Sequence, residues 1–283
     1  MSQDGAKLRV IGSVKDQASV QFDDVTLHVE VPIVYDVNVD VEGGGKIHCQ
    51  DMIESQYCHL SSHHGDIRAA GVKTSQLRLQ SQTGEIRCSG AIQGSVNIVS
   101  GSGDVVSEKR FLGPSLDITT DSGDILISSC YSDQSRFTTN TGSMRLRNIH
   151  HDSSVSVLSE AEVSMTGVDG STRVNMRKGR LEVQVSRVRS ECRIHVEDGD
   201  VELKMSDSHP VQLRVTGNTV DTDQTFAQHG AVETRDGLHH YTGALQPHQL
   251  SPLCLVVSEL GRVSVRAEGW AQSIGFKNPS QVD

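Results

Sequence analysis

Apolar and polar residues alternate along most of this chain, and the alternation restarts at a fixed phase. The step recurs as Gly84-Glu85-Ile86-Arg87-Cys88, Gly103-Asp104-Val105, Gly123-Asp124-Ile125-Leu126-Ile127 and Gly142-Ser143-Met144-Arg145-Leu146. The glycines fall 19, 20 and 19 residues apart. Two residues after each turn position stand Ile47, Ile67, Ile86, Val105, Ile125, Met144, Val163, Leu181, Val201 and Val263. Four after it, only Ser107 is clearly polar. A chain that is 35% hydrophobic does not give such a column by composition alone. Period-two alternation marks a strand with one buried face. Gly71, Gly90 and Gly167, six after the turn, end the strand with a residue that tolerates positive φ.

A second strand precedes each turn, as in Leu77-Arg78-Leu79, Val96-Asn97-Ile98 and Leu116-Asp117-Ile118. One repeat is therefore strand, turn, strand, turn in 19 or 20 residues. Such a unit cannot bury its apolar positions alone, so neighbours must stack. The expected fold is all-β: a single-domain, two-sheet β-solenoid of the parallel β-helix kind, preferred to a sandwich because the turn step keeps constant phase. Residues 1–44 are expected to form a non-repeat β cap, 45–215 the regular coils, 216–252 an irregular insertion or hairpin, and 253–283 the last coils and a C-terminal cap. In the first segment Val25–Pro32 and Val37–Val41 alternate cleanly but fall off the repeat spacing.

Composition narrows the function. The net charge of −10 argues against generic binding to nucleic acid or to an anionic membrane. No apolar run is long enough to span a bilayer. The N-terminus reads as neither a signal nor a transit peptide, which places the chain in the cytoplasm, or in an organelle such as the mitochondrion if a targeting segment lies upstream. Six cysteines lack metal-type spacing, and Cys49, Cys88 and Cys192 sit on inward columns, as suits a reducing compartment.

No catalytic, cofactor or metal signature is found, and no cofactor is expected. The acidic residues that follow the repeat glycines do not match a calcium-roll pattern and read as turn chemistry. The pairs His63-His64, His150-His151 and His239-His240 read as solvated turn residues. The most distinctive surface features are the basic coils, with Arg177, Arg180, Arg187 and Arg189, and the polar stretch with Asp236, His239, His240 and Tyr241. These are the candidate partner-binding residues. Loops on a rigid scaffold carry binding residues disproportionately. The expected function is a non-enzymatic interaction or scaffolding module for a protein partner; the alternative is an enzyme or small-ligand protein with its site near 217–252.

The Gly-Asp-(Ile/Val) step at Gly65, Gly103, Gly123 and Gly199 resembles a bacterial domain-of-unknown-function family of adhesin-like β-strand repeats, and the whole chain resembles its vertebrate branch. The resemblance covers roughly residues 45–270. It implies a β-solenoid and carries over no catalytic or ligand residues.

Overall fold

The computed structural model describes residues 28–32, 34–246 and 251–269. The chain divides into two compact units, Met1–Pro32 and Ile33–Asp283. Of the first, residues 28–32 are described; they form no strand, and the rest of the run Val25–Pro32 lies outside the described residues. The second unit is an all-β solenoid of about nine turns.

Its strands are β1 (Val37–Val41), β2 (Ile47–Gln50), β3 (Ile53–Ser62), β4 (Ile67–Ala70), β5 (Lys73–Ser81), β6 (Ile86–Ser89), β7 (Ile92–Ser100) and β8 (Val105–Thr120). They continue as β9 (Ile125–Thr141), β10 (Met144–Arg147), β11 (His150–Asp198), β12 (Val201–Ser206) and β13 (Val211–Thr222). A short helix α1 (Gln224–Gln228), then β14 (Gly230–Arg235), β15 (Leu238–Leu245) and β16 (Leu253–Glu268), follow among the described residues.

On one face Val39, Leu60, Leu79, Ile98, Ile118, Phe137 and Val155 stack in parallel register. On the other, Ile47, Ile67, Ile86, Val105, Ile125, Met144 and Val163 do the same. Nearly all are fully buried. Each contributes roughly 1.5–3 kcal/mol by leaving water, against about 1–2 kcal/mol for ordering its backbone. That ordering cost falls on every residue of a coil and the gain on its few column residues only, so one coil alone would not hold. Stacking makes the columns continuous and tips the balance.

One expectation changes here and another gains detail. Val37–Val41 is on the repeat, with Val37 opposite Cys58 and Val39 opposite Leu60, so the coils begin before residue 45. Its spacing falls off the repeat because the turn between Val41 and Ile47 is one residue longer than that between Ser62 and Ile67, and the register shifts again between Ile53 and Ser55, where Glu54 has a φ of 65°. The cross-section also has a third, narrow side between the two faces. There Ile92, Phe111, Cys130 and Ile149 stack one per coil, and Val72, Val168 and Val188 are the matching buried residues of other coils. Positive-φ residues bound this side: Gly71, Gly90, Asn148 and Gly167 before it, Gly94, Gly113 and His151 after it.

The glycine corner is held by three ladders. A Cβ added at Gly84, Gly103 or Gly123 would lie 2.0–2.1 Å from the carbonyl oxygen of the glycine one coil below. The coils pack so closely there that only glycine fits. Buried hydroxyls three residues earlier close each turn: Gly65 and Gly84 N–H donate to Ser62 and Ser81 Oγ at 2.9 Å, and Thr120 Oγ1 donates to the Gly123 carbonyl at 3.0 Å. The acidic line works between coils. Asp104 Oδ1 accepts the Asp124 N–H at 2.9 Å, Asp124 Oδ1 the Ser143 N–H at 2.7 Å, and Asp200 Oδ1 the Arg262 N–H at 2.9 Å.

The far end departs from chain order. β16 lies between β12 and β13, parallel to both, with Val263 between Val201 and Val220. It also pairs with β11, placing Cys254 opposite Cys192. Residues 211–222 therefore form a rung outside the one made by 253–268. The hairpin β14–β15 then adds antiparallel to β13. Asp223 caps α1 by accepting the Phe226 N–H at 3.0 Å, and its second oxygen accepts the Ala267 N–H at 2.6 Å. Phe226 and Tyr241 are buried edge to face, and the Tyr241 hydroxyl donates to the Phe226 carbonyl at 2.9 Å. Together they close the end of the core.

Candidate functional site

The structure disperses the residues singled out in the sequence. Arg177 and Arg180 belong to the glycine corner of their coil, where Arg180 pairs with Glu202 at 3.2 Å. Arg187 and Arg189 lie further along β11, flanking the buried Val188 of the third side. Asp236 is exposed at the β14–β15 turn with a φ of 52°. His239 Nδ1 lies 3.4 Å from Thr234 Oγ1, and His240 Nδ1 lies 3.0 Å from Thr216 Oγ1, both on the hairpin. Tyr241 must be withdrawn as a partner-binding residue. It is 1% exposed, and burial pushes its hydroxyl pKa up to about 12. Its position among polar neighbours hid a core residue whose apolar contact, Phe226, is 15 residues away.

The third side collects the most varied chemistry. Tyr131 and His150 occupy successive coils, their rings stacked 4.2 Å apart at 13°. His150 Nδ1 is 3.8 Å from Asp169 Oδ2. Asp169 in turn accepts from Arg189 through Nε at 2.9 Å and Nη2 at 3.3 Å. His150 is thus on a strand and partly buried, not on a solvated turn as its sequence suggested. Burial pulls its pKa below the usual histidine value, and Arg189 and His151 act the same way, while Asp169 opposes them. For Asp169, burial pushes upward, but the hydrogen bonds and charge of Arg189, helped by His150 and Arg187, hold its carboxyl below the usual range.

Beside this ladder runs a groove of about 400 Å³ lined by Asn148, His150, Thr166, Gly167, Asp169, Gln184 and Ser186. Arg147 borders it: it precedes Asn148 and sits in register with Thr166. Arg187 borders the other end, next to Ser186. Among the described residues neither Arg147 nor Arg187 has a carboxylate within 4.0 Å. Asp169, the groove's own carboxylate, is already engaged by Arg189.

The sequence profile of the Toastrack DUF4097 family matches residues 1–134 and again 95–242. The chain belongs to this family. Two overlapping matches are what a repeating solenoid produces when one profile fits it at more than one phase. No solved structure matches the chain. The Toastrack family is a domain of unknown function, so the assignment adds architecture and no site residue. In this Toastrack chain the residues that sequence reasoning missed are Tyr131, Arg147, His150 and Asp169. The spacing of 19 between Tyr131, His150 and Asp169 was the available signal. Among the described residues no group of three or more His, Cys, Asp or Glu is placed to hold a metal. No helix there is long and apolar enough to cross a membrane.

Proposed function

We propose that this Toastrack solenoid is a non-enzymatic interaction module of scaffolding type, and that its protein partner docks on the third side around the 148–186 groove. One observation carries the reading. Arg147 and Arg187, which form no ion pair among the described residues, flank the lining residues Asn148 and Ser186 of a polar groove on a rigid stack. The glycine corner contrasts with this, since its hydroxyls close their own turns and its carboxylates bond the neighbouring coils. Buried, unpaired cysteines at 58, 88, 130, 192 and 254 support a place inside the cell in a reducing compartment. The step at Gly65, Gly103, Gly123 and Gly199 supports placing the chain in the vertebrate branch of the family.

The test is a pull-down with wild type and the double variant Arg147→Glu/Arg187→Glu. Circular dichroism and melting should stay near wild type while partner recovery is lost. Retention of every partner by a folded double variant would overturn this docking surface.

A further inference from the structure

The groove's geometry constrains the partner's chemistry. Asn148, Gly167 and Ser186 come from three successive coils. Two coil rises separate the rung bearing Arg147 from the rung bearing Arg187, or about 10 Å along the stack. Both guanidiniums are exposed and carry no ion pair among the described residues. Thr166 and Ser186 are among the residues that line the groove. The carboxylate of Asp169 would repel an anion, but Arg189 grips it bidentately and His150 Nδ1 lies 3.8 Å from its Oδ2. Two arginines carried on rungs about 10 Å apart suit a ligand whose two oxyanions are spaced on that scale. A polyproline-II segment has three residues per turn and a rise of about 3.1 Å. Residues i and i+3 therefore project to the same side roughly 9.3 Å apart.

Resting on the docking-surface reading, we infer that the groove takes an extended acidic peptide segment whose oxyanions stand three residues apart, one at Arg147 and one at Arg187. The oxyanion is a glutamate carboxylate or a phosphoserine phosphoryl group. Geometry favours neither, because arginine binds both in bidentate fashion.

Fluorescence anisotropy with labelled peptides containing Glu-Pro-Pro-Glu, phosphoSer-Pro-Pro-phosphoSer or Gln-Pro-Pro-Gln tests this on the full chain. Binding is expected for at least one acidic peptide, with the neutral peptide at least about tenfold weaker, and it should weaken as salt rises. The stronger acidic arm identifies the oxyanion. Arg147→Gln/Arg187→Gln should lower affinity about tenfold. Arg177→Gln/Arg180→Gln, at the other corner, should leave it unchanged. Moving the two acids to adjacent positions should also weaken binding. Equal binding of acidic and neutral peptides, or an equal loss from both double variants, would overturn the inference. If no acidic peptide binds while Arg147→Glu/Arg187→Glu still loses its partner in the pull-down, the acidic chemistry is wrong and the docking surface stands.

Discussion

The glycine corner and the third side are built from the same coils, yet they use their polar groups in opposite ways. At the corner, Asp104, Asp124 and Asp200 face outward and still bond the backbone of the next coil. At the third side, Tyr131, His150, Asp169 and Arg189 contact one another by side chain, and the guanidiniums of Arg147 and Arg187 form no ion pair among the described residues. A repeat that satisfies itself through backbone contacts leaves its surface chemically spent. A side held mainly by one inward residue per coil leaves its outward residues available.

The hardest way to break the comparison is through the columns common to both regions. Ile125→Asp sets an unpaired carboxylate between Val105 and Met144 and should cost more than about 4 kcal/mol, or abolish folding, in thermal melts. Gly103→Ala puts a Cβ 2.0 Å from the Gly84 carbonyl oxygen and should cost about 1–3 kcal/mol. Asp124→Ala comes next. Facing outward, it would be neutral on its sequence pattern, but it removes the acceptor of the Ser143 N–H, and the expected loss is about 1 kcal/mol. A loss below the error of the melt would mean the corner's carboxylates are dispensable.

The third side should show itself in pH dependence. His150 has a folded pKa below its ordinary value of 6.5, so the unfolded chain binds the proton more readily. Stability from this residue is full above 6.5 and falls as pH drops through that value toward the folded one. His59 shifts the same way, chiefly by burial, so His150→Asn should shallow the loss between neutral and mildly acidic pH without erasing it. An unchanged slope would remove His150 from the account. The smallest effect belongs to Arg187→Gln, which should change stability by no more than about 0.5 kcal/mol while it weakens the acidic-peptide complex.

Much of the fold was legible because a phase-locked alternation has few physical explanations. The columns through Ile67, Ile86 and Val105, and the register of Cys49 with Ala69 and Ala69 with Cys88, follow from it directly. The third side was not legible, since a single buried residue per coil, such as Phe111 or Ile149, makes no alternation to detect. The hydroxyls at Ser62, Ser81, Ser100, Thr120, Thr139 and Ser258 were in plain view three residues before their glycines. They were passed over because a serine or threonine at an inward position reads as a break in the apolar pattern. The axial order of β16 and β13 was hidden for a different reason. A rung has the same pattern wherever it stacks, so Val263 and Val220 announce burial but not which lies inside the other.

That inversion of order has a consequence for how the protein is made. During synthesis, β13 emerges before the strand that belongs beneath it. At roughly 5–20 residues per second, the ribosome takes seconds to go from Thr222 to Leu253. Throughout that interval β12 and β13 each present an unpaired edge, and Val201 and Leu203 lack the neighbours Val263 and Val265 that later cover them. Bare edges of this kind template pairing with other chains. The nascent chain thus passes through a state in which most of the stack is complete and its sticky slot stands open. Ribosome-bound chaperones would meet the protein at that stage, and a transcript cut short before Leu253 would leave the slot permanently unfilled.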